Sequence, residues 1–554
     1  MSAPSPYLEV AVTLPVQQTY TYSIPDHLAT AAAIGKRVLV PFGRRRVTGF
    51  ILALTALTDL EELRPILDII DQEPLFPASL IPFYRWIADY YHHPIGQVVK
   101  SALPGGLNLY EITQVAITSQ GVEALEKHSV SGLRREILLA LGQNPVLLTA
   151  LRKRVKQRFA HTALEAMARS GWIHLQRKLR GGRTRFKTER FVRLKNRANK
   201  PHASTDTRSP LKNKILAHLA TQAELSVRDL KSTFPTAARH LKALEQSGHV
   251  HLFDRRIYRD PFGESIQPSS KHVLTEEQAQ VVAQVTAALG QGFATFLLAG
   301  VTGSGKTEVY LQIAAEAVRQ GHNVLVLVPE IALISQMERR FRARFGERIA
   351  VLHSGLSDGE RFDQWQRILR REVSIAIGAR SAIFAPFAQI GVLIVDEEHD
   401  TSYKQEGALY YNARDLAVVR AKLHQGLTLL GSATPSVESY YNVSHNKSVA
   451  LRLTKRIQQR RLPDITVVDL RTSRDGKGFL RIFSQPLYQG LRSTLAQGEQ
   501  ALLFLNRRGY ASYPVCSACG AAIKCDNCDI SLTLHQAAAA YKCHYCGYTR
   551  ALQA

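Results

Sequence analysis

The sequence predicts a multidomain α/β chain centred on a doubly wound parallel sheet, and three observations carry that prediction. From about residue 290 onward, apolar runs of strand length alternate with helical stretches. Ahead of them lie short runs in which apolar and polar residues alternate, punctuated by Pro, Gly and Asp. All 6 cysteines fall in Cys-x-x-Cys pairs between Cys516 and Cys546, late in a chain of 554 residues. A chain of this length holds roughly 3 or 4 domains, each able to bury its own core.

The first domain is expected over residues 1–108. YLEVAVTL, TYTYSI, KRVLVPF and TGFILAL read as strands of a small β-rich unit, closed by a helix over LIPFYRWIADYYHH that Pro94 and Gly96 stop. Residues 109–262 contain a faint internal repeat. ALEAMARSGWIHLQRK (163–178) aligns with HLKALEQSGHVHLFDRR (240–256), each after an apolar helix, EILLALG or KILAHLA. Helix, helix, Ser-Gly turn and basic strand is the pattern of a winged helix, in tandem or as one copy with a degenerate partner; two unrelated helical hairpins are the alternative. Between the copies, RKLRGGRTRFKTERFVRLKNRANKPHASTDTRSP is expected to be a basic loop lying along phosphates, or else a solvated linker. Residues 263–455 hold FATFLLAG, NVLVLVPE, RIAVLHSG, VSIAIGAR, GVLIVDEE and LTLLGSAT, apolar on both faces as in a parallel sheet covered by helices. Residues 456–554 form the remaining domain and carry the cysteines.

Lys and Arg number 71 against 46 acids, a net charge of +25. Such an excess points to a polyanion, with nucleic acid the expected partner through counterion release. An acidic membrane surface would attract the same charge, yet no basic amphipathic anchor or long apolar run accompanies it. MSAPSPYLEV has no charged region followed by an apolar stretch, so no secretory leader is read. Cysteines confined to metal spacing suggest a reducing, cytoplasmic compartment, with disulfides as the alternative.

The chemistry is concentrated in short motifs. GVTGSGKT follows a predicted strand and opens a helix, so the backbone of Gly300, Val301, Thr302, Gly303, Ser304 and Gly305 would wrap phosphates, Lys306 would reach the β/γ oxygens and Thr307 would offer a hydroxyl to Mg²⁺. Some ninety residues on, VLIV runs into Asp396, Glu397, Glu398 and His399; an acid at that strand end holds the Mg²⁺ shell and the next polarises the attacking water, whereas DEEH alone could be an exposed turn. GSATP (431–435) ends the last strand and matches the element by which superfamily 2 helicases couple hydrolysis to strand movement. Gln278 in LTEEQ resembles the adenine-reading Gln of those motors.

LAGVTGSGKTEVYL, LVPEIAL, LHSGLS, IGARSAIFAPF, VDEEHDTSYKQE, YNARDLAVVRA, GSATPSVES and FLNRRGY, followed by the cysteine pairs, resemble over essentially the whole chain the PriA family of bacterial replication-restart helicases. The resemblance implies a RecA-like P-loop motor lobe, a partial second lobe with a zinc-binding insertion, and 3′ to 5′ unwinding driven by ATP with Mg²⁺. It implies an N-terminal domain that pockets a DNA 3′ end, matched here by LPVQQTYTYSIP, GKRVLVPFG and YYHHPIG, with Tyr20, Tyr22 and Gly35 as contacts. Thr21 stands where the family often has an acid, and Ala379 where Thr is usual. YKQEGALYYNAR resembles the family's aromatic-rich loop, so Tyr403, Tyr410 and Tyr411 would offer ring faces to bases, Lys404 and Arg414 charge to phosphates, and Arg380 and Ser381 a strand-tracking contact. Tyrosines buried to pack the loop are the alternative.

By the same resemblance, Cys525, Cys528, Cys543 and Cys546 make one complete zinc site, while Cys516 and Cys519 await a pair from a second site. With that pair and a Q-x-x-G-R-x-G-R motif both missing, the chain is expected to be truncated, binding nucleotide and DNA but hydrolysing poorly. The implied partners are branched and single-stranded DNA, single-stranded-DNA-binding protein, PriB, DnaT and the replicative helicase DnaB with its loader. Rival readings are another superfamily 2 translocase, of fork-remodelling or restriction type, and a non-catalytic fork-binding loader.

Overall fold

The computed structural model describes residues 7–43, 45–56, 63–107, 110–127, 129–142, 144–155, 159–180, 184, 186–195, 210–222, 224–263, 266–407, 409–457, 464–469, 483–504, 522–527, 531–535, 540–543 and 546–551. The chain divides into two compact units, Met1–Gln459 and Arg460–Ala554.

The first unit opens with an antiparallel sheet of β1 (Tyr7–Val12), β2 (Tyr20–Ser23), β3 (Arg37–Phe42), β4 (Arg45–Thr55) and β5 (Asp68–Ile69), in the order β2-β1-β4-β3-β5. Strand alternation sorts its side chains: Leu8, Val10, Val38, Val40 and Ile51 close one small core, capped by the short helix α1 (Asp26–Ala29). Ala11, Phe50 and Leu52 point the other way, into a larger core shared with α2 (Ile81–Tyr90) and α3 (Ile95–Ala102). Pro94 does more than stop α2. It is the N-cap of α3, where its missing N–H costs nothing, and Gly96 lies inside that helix because a Cβ there would stand 1.9 Å from the Val12 carbonyl oxygen.

Two small units follow. The first consists of β6 (Tyr110–Ile117), α4 (Ser119–Glu126), α5 (Gly132–Leu141), β7 (Val146–Leu147), α6 (Leu148–Arg154), α7 (His161–Arg169) and β8 (Ile173–Arg180). The second consists of β9 (Lys187–Leu194), α8 (Pro210–Thr221), β10 (Leu225–Ser226), α9 (Val227–Thr233), α10 (Ala237–Gln246) and β11 (Val250–Ile257). Strand, helix, short strand, helix, helix, strand recurs in both, apart from the additional α4. The sheet orders correspond, β7-β6-β8 and β10-β9-β11, and each unit has its own core. The stretch expected to be a basic loop instead supplies the end of β8 and all of β9, antiparallel to β11 from Lys187–Ile257 to Leu194–Val250. Charge hid the strand: Val192 is buried, and Phe191 stacks across to Phe253 with ring centroids 6.1 Å apart. Residues 196–209 of that stretch lie outside the described residues.

The remainder of this unit is a seven-stranded, fully parallel sheet made of β12 (Ala294–Gly300), β13 (Val324–Leu327), β14 (Ile349–Leu352), β15 (Ile375–Gly378), β16 (Val392–Val395), β19 (Leu427–Ser432) and β20 (Val449–Leu453). Its order is β14-β15-β13-β16-β19-β12-β20. An antiparallel hairpin, β17 (Lys404–Glu406) and β18 (Tyr410–Asn412), projects after β16. The helices are α11 (Glu276–Ala287), α12 (Lys306–Arg319), α13 (Ile331–Phe345), α14 (Asp358–Leu369), α15 (Ala413–His424) and α16 (Val437–Ser444).

The N-terminal sheet domain is packed onto this lobe. Phe83 of α2 meets Phe384 at 6.2 Å, and the indole of Trp365 in α14 donates to the Leu75 carbonyl at 2.7 Å. Arg420 of α15 is wholly buried beneath the Phe83 ring and donates to the carbonyls of Ile383, Ala385 and Phe387. Burial pulls its guanidinium down to about 9, still charged at neutral pH.

In the second unit, α17 (Gln485–Ala496) precedes a small antiparallel sheet of β21 (Thr533–His535), β22 (Ala540–Lys542) and β23 (Thr549–Ala551). Apart from Phe504, FLNRRGY lies outside the described residues.

Candidate active site and metal centre

β12 ends at Gly300, the chain turns, and α12 begins at Lys306. The turn needs left-handed backbone at Gly303 (φ 82°) and Gly305 (φ 83°), where a side chain would be strained. A Cβ on Gly305 would also stand 2.5 Å from the Gln278 amide nitrogen. The N-terminus of a 14-residue helix therefore faces the loop, with its amides and dipole available to an anion. Lys306 Nζ donates to the Gly300 carbonyl at 3.0 Å and lies 3.6 Å from Glu397 Oε1, folded over the turn. A cleft of about 770 Å³ opens here, lined by Thr302, Lys306, Thr307, Arg340, Asp396 and Glu397 among others.

Asp396 leaves the carboxyl end of β16, two strands from β12 with β19 between them. The Tyr310 hydroxyl, one turn after Lys306, donates to its Oδ1 at 3.0 Å. Burial, and then the adjacent Glu397 charge, push the Asp396 carboxyl above the usual carboxylate range. Glu397 sits at φ 44°, a left-handed conformation that a non-glycine residue holds only where its surroundings enforce it. Its second oxygen lies 3.7 Å from His399 Nδ1 and accepts from Ala433 N at 3.5 Å.

DEEH and GSATP are joined by a polar network. Glu398 N donates to the Gly431 carbonyl at 3.0 Å, and His399 Nδ1 lies 2.7 Å from Ser432 Oγ. The Glu398 carboxylate, 1% exposed, accepts from Ser436 N (2.6 Å), Ser436 Oγ (3.0 Å), Ser439 Oγ (2.8 Å) and Arg414 Nη1 (3.3 Å). A buried carboxylate with this many donors ties the two strand ends and α16 into one body. The sequence reading missed Tyr310 and the structural part played by Glu398. The i,i+4 spacing of Tyr310 from Lys306 was the available signal.

Several expected contacts are placed differently. The Gln278 side chain is 3% exposed; its amide nitrogen donates to the Ser304 carbonyl at 2.7 Å, and its oxygen accepts from Thr275 N at 2.9 Å in a capping box. Both ends of the amide are thus spent on the protein and not offered to a base. Tyr403 is 1% exposed, its hydroxyl donating to the carbonyls of Leu327 (3.0 Å) and Asp396 (2.5 Å). Tyr411 is buried edge-on against Phe384, and Arg414 turns inward to Glu398 and Asp415. These three are supports of the loop, not free faces: Tyr403 is buried in the turn before the hairpin, Tyr411 on the inward side of its second strand, and Arg414 is held in the first turn of α15. Arg380 donates to the carbonyls of Ser402 (3.1 Å) and Lys404 (3.0 Å), pinning the hairpin's base. Tyr410, Lys404 and Ser381 are exposed. In the N-terminal sheet, Tyr22 is buried with its hydroxyl donating to the Pro41 carbonyl at 3.1 Å, and Tyr20 meets Phe42 edge-on. Gly35 has a local reason: φ is 86°, and a Cβ would stand 2.2 Å from the Phe76 carbonyl oxygen.

Cys525, Cys543 and Cys546 converge, their sulfurs all within 4.8 Å of one another and those of Cys525 and Cys546 3.6 Å apart. A tetrahedral zinc–thiolate shell has sulfur–sulfur edges of ~3.8 Å, so these donors fit one ion. The Asn527 amide donates to the Cys525 sulfur at 3.4 Å, which favours a thiolate, and Leu532 is buried beneath the cluster. Cys516, Cys519 and Cys528 lie outside the described residues.

A P-loop at the head of a parallel sheet, a strand-end acid pair beside its lysine, and a clamp from that pair to the next strand define a P-loop lobe of the RecA-like, helicase-domain class. Residues 275–443 match the family described as DEAD/DEAH box helicase. Residues 9–104 match the 3'DNA-binding domain of PriA, and residues 525–550 match the PriA DNA helicase Cys-rich region. Proteins named replication restart protein PriA are similar throughout: that of Bacillus subtilis is 35% identical over 96% of this chain, that of Synechocystis 35% over 98%, and that of Haemophilus influenzae 32% over 98%. The chain belongs to the PriA family. It spans 66%, 66% and 64% of the length of those three relatives.

Proposed function

We propose that this protein serves as an ATP-driven 3′ to 5′ DNA helicase that recognises stalled or branched replication forks and starts primosome assembly for replication restart. The observation that carries the reading is the clamp between the acid pair and the GSATP strand end, because a change at the phosphates is thereby mechanically linked to α16 and the hairpin. In this reading the amides of residues 301–305 hold the phosphates, and Lys306 swings from the Gly300 carbonyl and Glu397 to the β/γ oxygens. Thr307 and Asp396 would hold a magnesium ion, which when bound neutralises phosphate charge. Glu397, released from Lys306, orients the attacking water. Tyr410, Lys404 and Ser381 face the strand, while Tyr403, Tyr411, Arg414 and Arg380 hold the loop that presents them. The repeated units of residues 110–257 act as tandem winged helices. Cys525, Cys528, Cys543 and Cys546 close one structural zinc site, and Cys516 and Cys519 belong to a second.

Support for DNA as partner comes from the family matches and the +25 charge, and restart proteins such as the replicative helicase with its loader are the proposed protein partners. No helix among the described residues is long and apolar enough to cross a membrane; a cytoplasmic location is part of the proposal. The test is magnesium-ATP binding by calorimetry together with hydrolysis stimulated by single-stranded DNA. Lys306→Ala is expected to lower nucleotide affinity at least tenfold and abolish stimulated turnover while DNA binding persists; identical binding and turnover in the variant would remove the P-loop assignment. Zinc analysis is expected to find metal that Cys543→Ala loses, with unfolding of the β21–β23 sheet on chelation.

A further inference from the structure

α2 carries a ring stack whose inner rings, Trp86 and Tyr91, pack against the core and whose outer ring, Tyr90, stays outside it. Trp86 and Tyr90, one helical turn apart, lie face to face with centroids 4.6 Å apart and planes 12° from parallel. Tyr91 meets Tyr90 edge-on at 4.9 Å and Trp86 at 6.5 Å. Those three separations place Tyr91 about a right angle off the Trp86–Tyr90 line, against the rim of Tyr90. The outer face of Tyr90 is left bare, and the side chain is 64% exposed.

The Tyr91 hydroxyl accepts a hydrogen bond from Asn412 N at 3.2 Å, so the stack stands at the foot of the β17–β18 hairpin. Tyr410, 62% exposed, is two residues before Asn412 and on the same strand face, and Lys404, opposite Asn412 in the hairpin, is exposed. Two exposed tyrosines, Tyr90 and Tyr410, and the exposed Lys404 thus flank the Asn412–Tyr91 hydrogen bond, from segments more than three hundred residues apart. The other exposed side chains in the last turns of α2 are charged, Asp89 and the Glu9-paired Arg85, which suits a wet, stacking ligand better than an apolar protein surface.

We propose that the Trp86–Tyr90 stack is a base-stacking site for single-stranded DNA, continuing the strand path from the motor-lobe hairpin onto the N-terminal sheet domain. A flat ring backed by a second ring accepts any base face, so the site is indifferent to sequence. The proposal rests on the reading of the protein as a single-stranded-DNA motor.

The test uses oligo(dT) blocked with a 3′-phosphate, so that binding of a free 3′ end does not contribute. Tyr90→Ala is expected to bind it about tenfold more weakly with an unchanged melting temperature, since the side chain is exposed, and Tyr90→Phe is expected to bind like the parent. Oligo(dT) should quench tryptophan fluorescence, and Trp86→Phe should remove that quenching, leaving Trp172 and the buried Trp365 unaffected. Unchanged oligo(dT) affinity in a folded Tyr90→Ala overturns the proposal and leaves a protein partner as the occupant. If the parent protein binds oligo(dT) and Lys306→Ala loses turnover as expected, that failure touches this site alone; if the parent does not bind oligo(dT), the motor reading falls with it.

Discussion

Gln278 shows how a motif residue acquires its meaning from what it touches. With one end of its amide on Ser304 and the other on Thr275, it fastens α11 to the phosphate loop. Gln278→Ala is expected to cost about 1 kcal/mol of stability and to weaken ATP and GTP binding together by roughly 5- to 10-fold, measured by calorimetry with both nucleotides. Loss of ATP binding alone would restore the adenine-reading role. His424 is a second case. Its Nδ1 accepts from Ile390 N at 3.0 Å, and burial, then Arg420, lower its pKa to about 4. An unfolded histidine titrates near 6.5, so the folded form holds the neutral ring, and the stability this contributes is complete above pH 6.5 and is lost as pH falls towards 4. His424→Gln should flatten that limb of the stability profile by about 1–3 kcal/mol, read from melts between pH 4 and 7.

At the scale of elements, the P-loop, the acid pair and GSATP were legible because each is a short backbone shape with its chemistry in sequence order. The hairpin was not. YKQEGALYYN contains three tyrosines, and nothing local says that Tyr403 and Tyr411 are buried while Tyr410 is bare. Tyr403→Phe leaves the Asp396 carbonyl short of a donor, while the Leu327 carbonyl keeps the Asp396 N–H at 2.9 Å, and is expected to lower stability by about 1–3 kcal/mol and slow stimulated hydrolysis without changing single-stranded-DNA affinity. Tyr410→Ala should do the reverse, weakening DNA binding about 5- to 10-fold with no change in melting. The paired small units were half legible: the Ser-Gly turns aligned, but the strand β9 was masked by its own Lys and Arg.

Across the molecule, the N-terminal domain and the motor lobe of the first unit share one apolar core in which Phe83, Tyr84 and Phe76 meet Phe384 and Trp365. Such a joint makes the N-terminal sheet domain and the parallel-sheet lobe one packed body. Phe83→Ala, which opens a cavity beside Arg420, is expected to cost about 3–5 kcal/mol and to separate the unfolding of the N-terminal sheet domain from that of the parallel-sheet lobe, measured by denaturant melts with far-ultraviolet and tryptophan signals.

The amino-acid sequence alone determined the class of this protein, since phosphate cradles, strand-end acids and cysteine pairs are built from neighbours along the chain and their spacing is their geometry. Only the tertiary structure decided which side chains are offered to a ligand and which are spent on the protein. Tyr403 is settled by Leu327, Trp365 by Leu75 and Tyr91 by Asn412, contacts that span 76, 290 and 321 residues. Burial at such distances leaves no period or spacing in the local sequence, because it depends on where the other segment comes to rest.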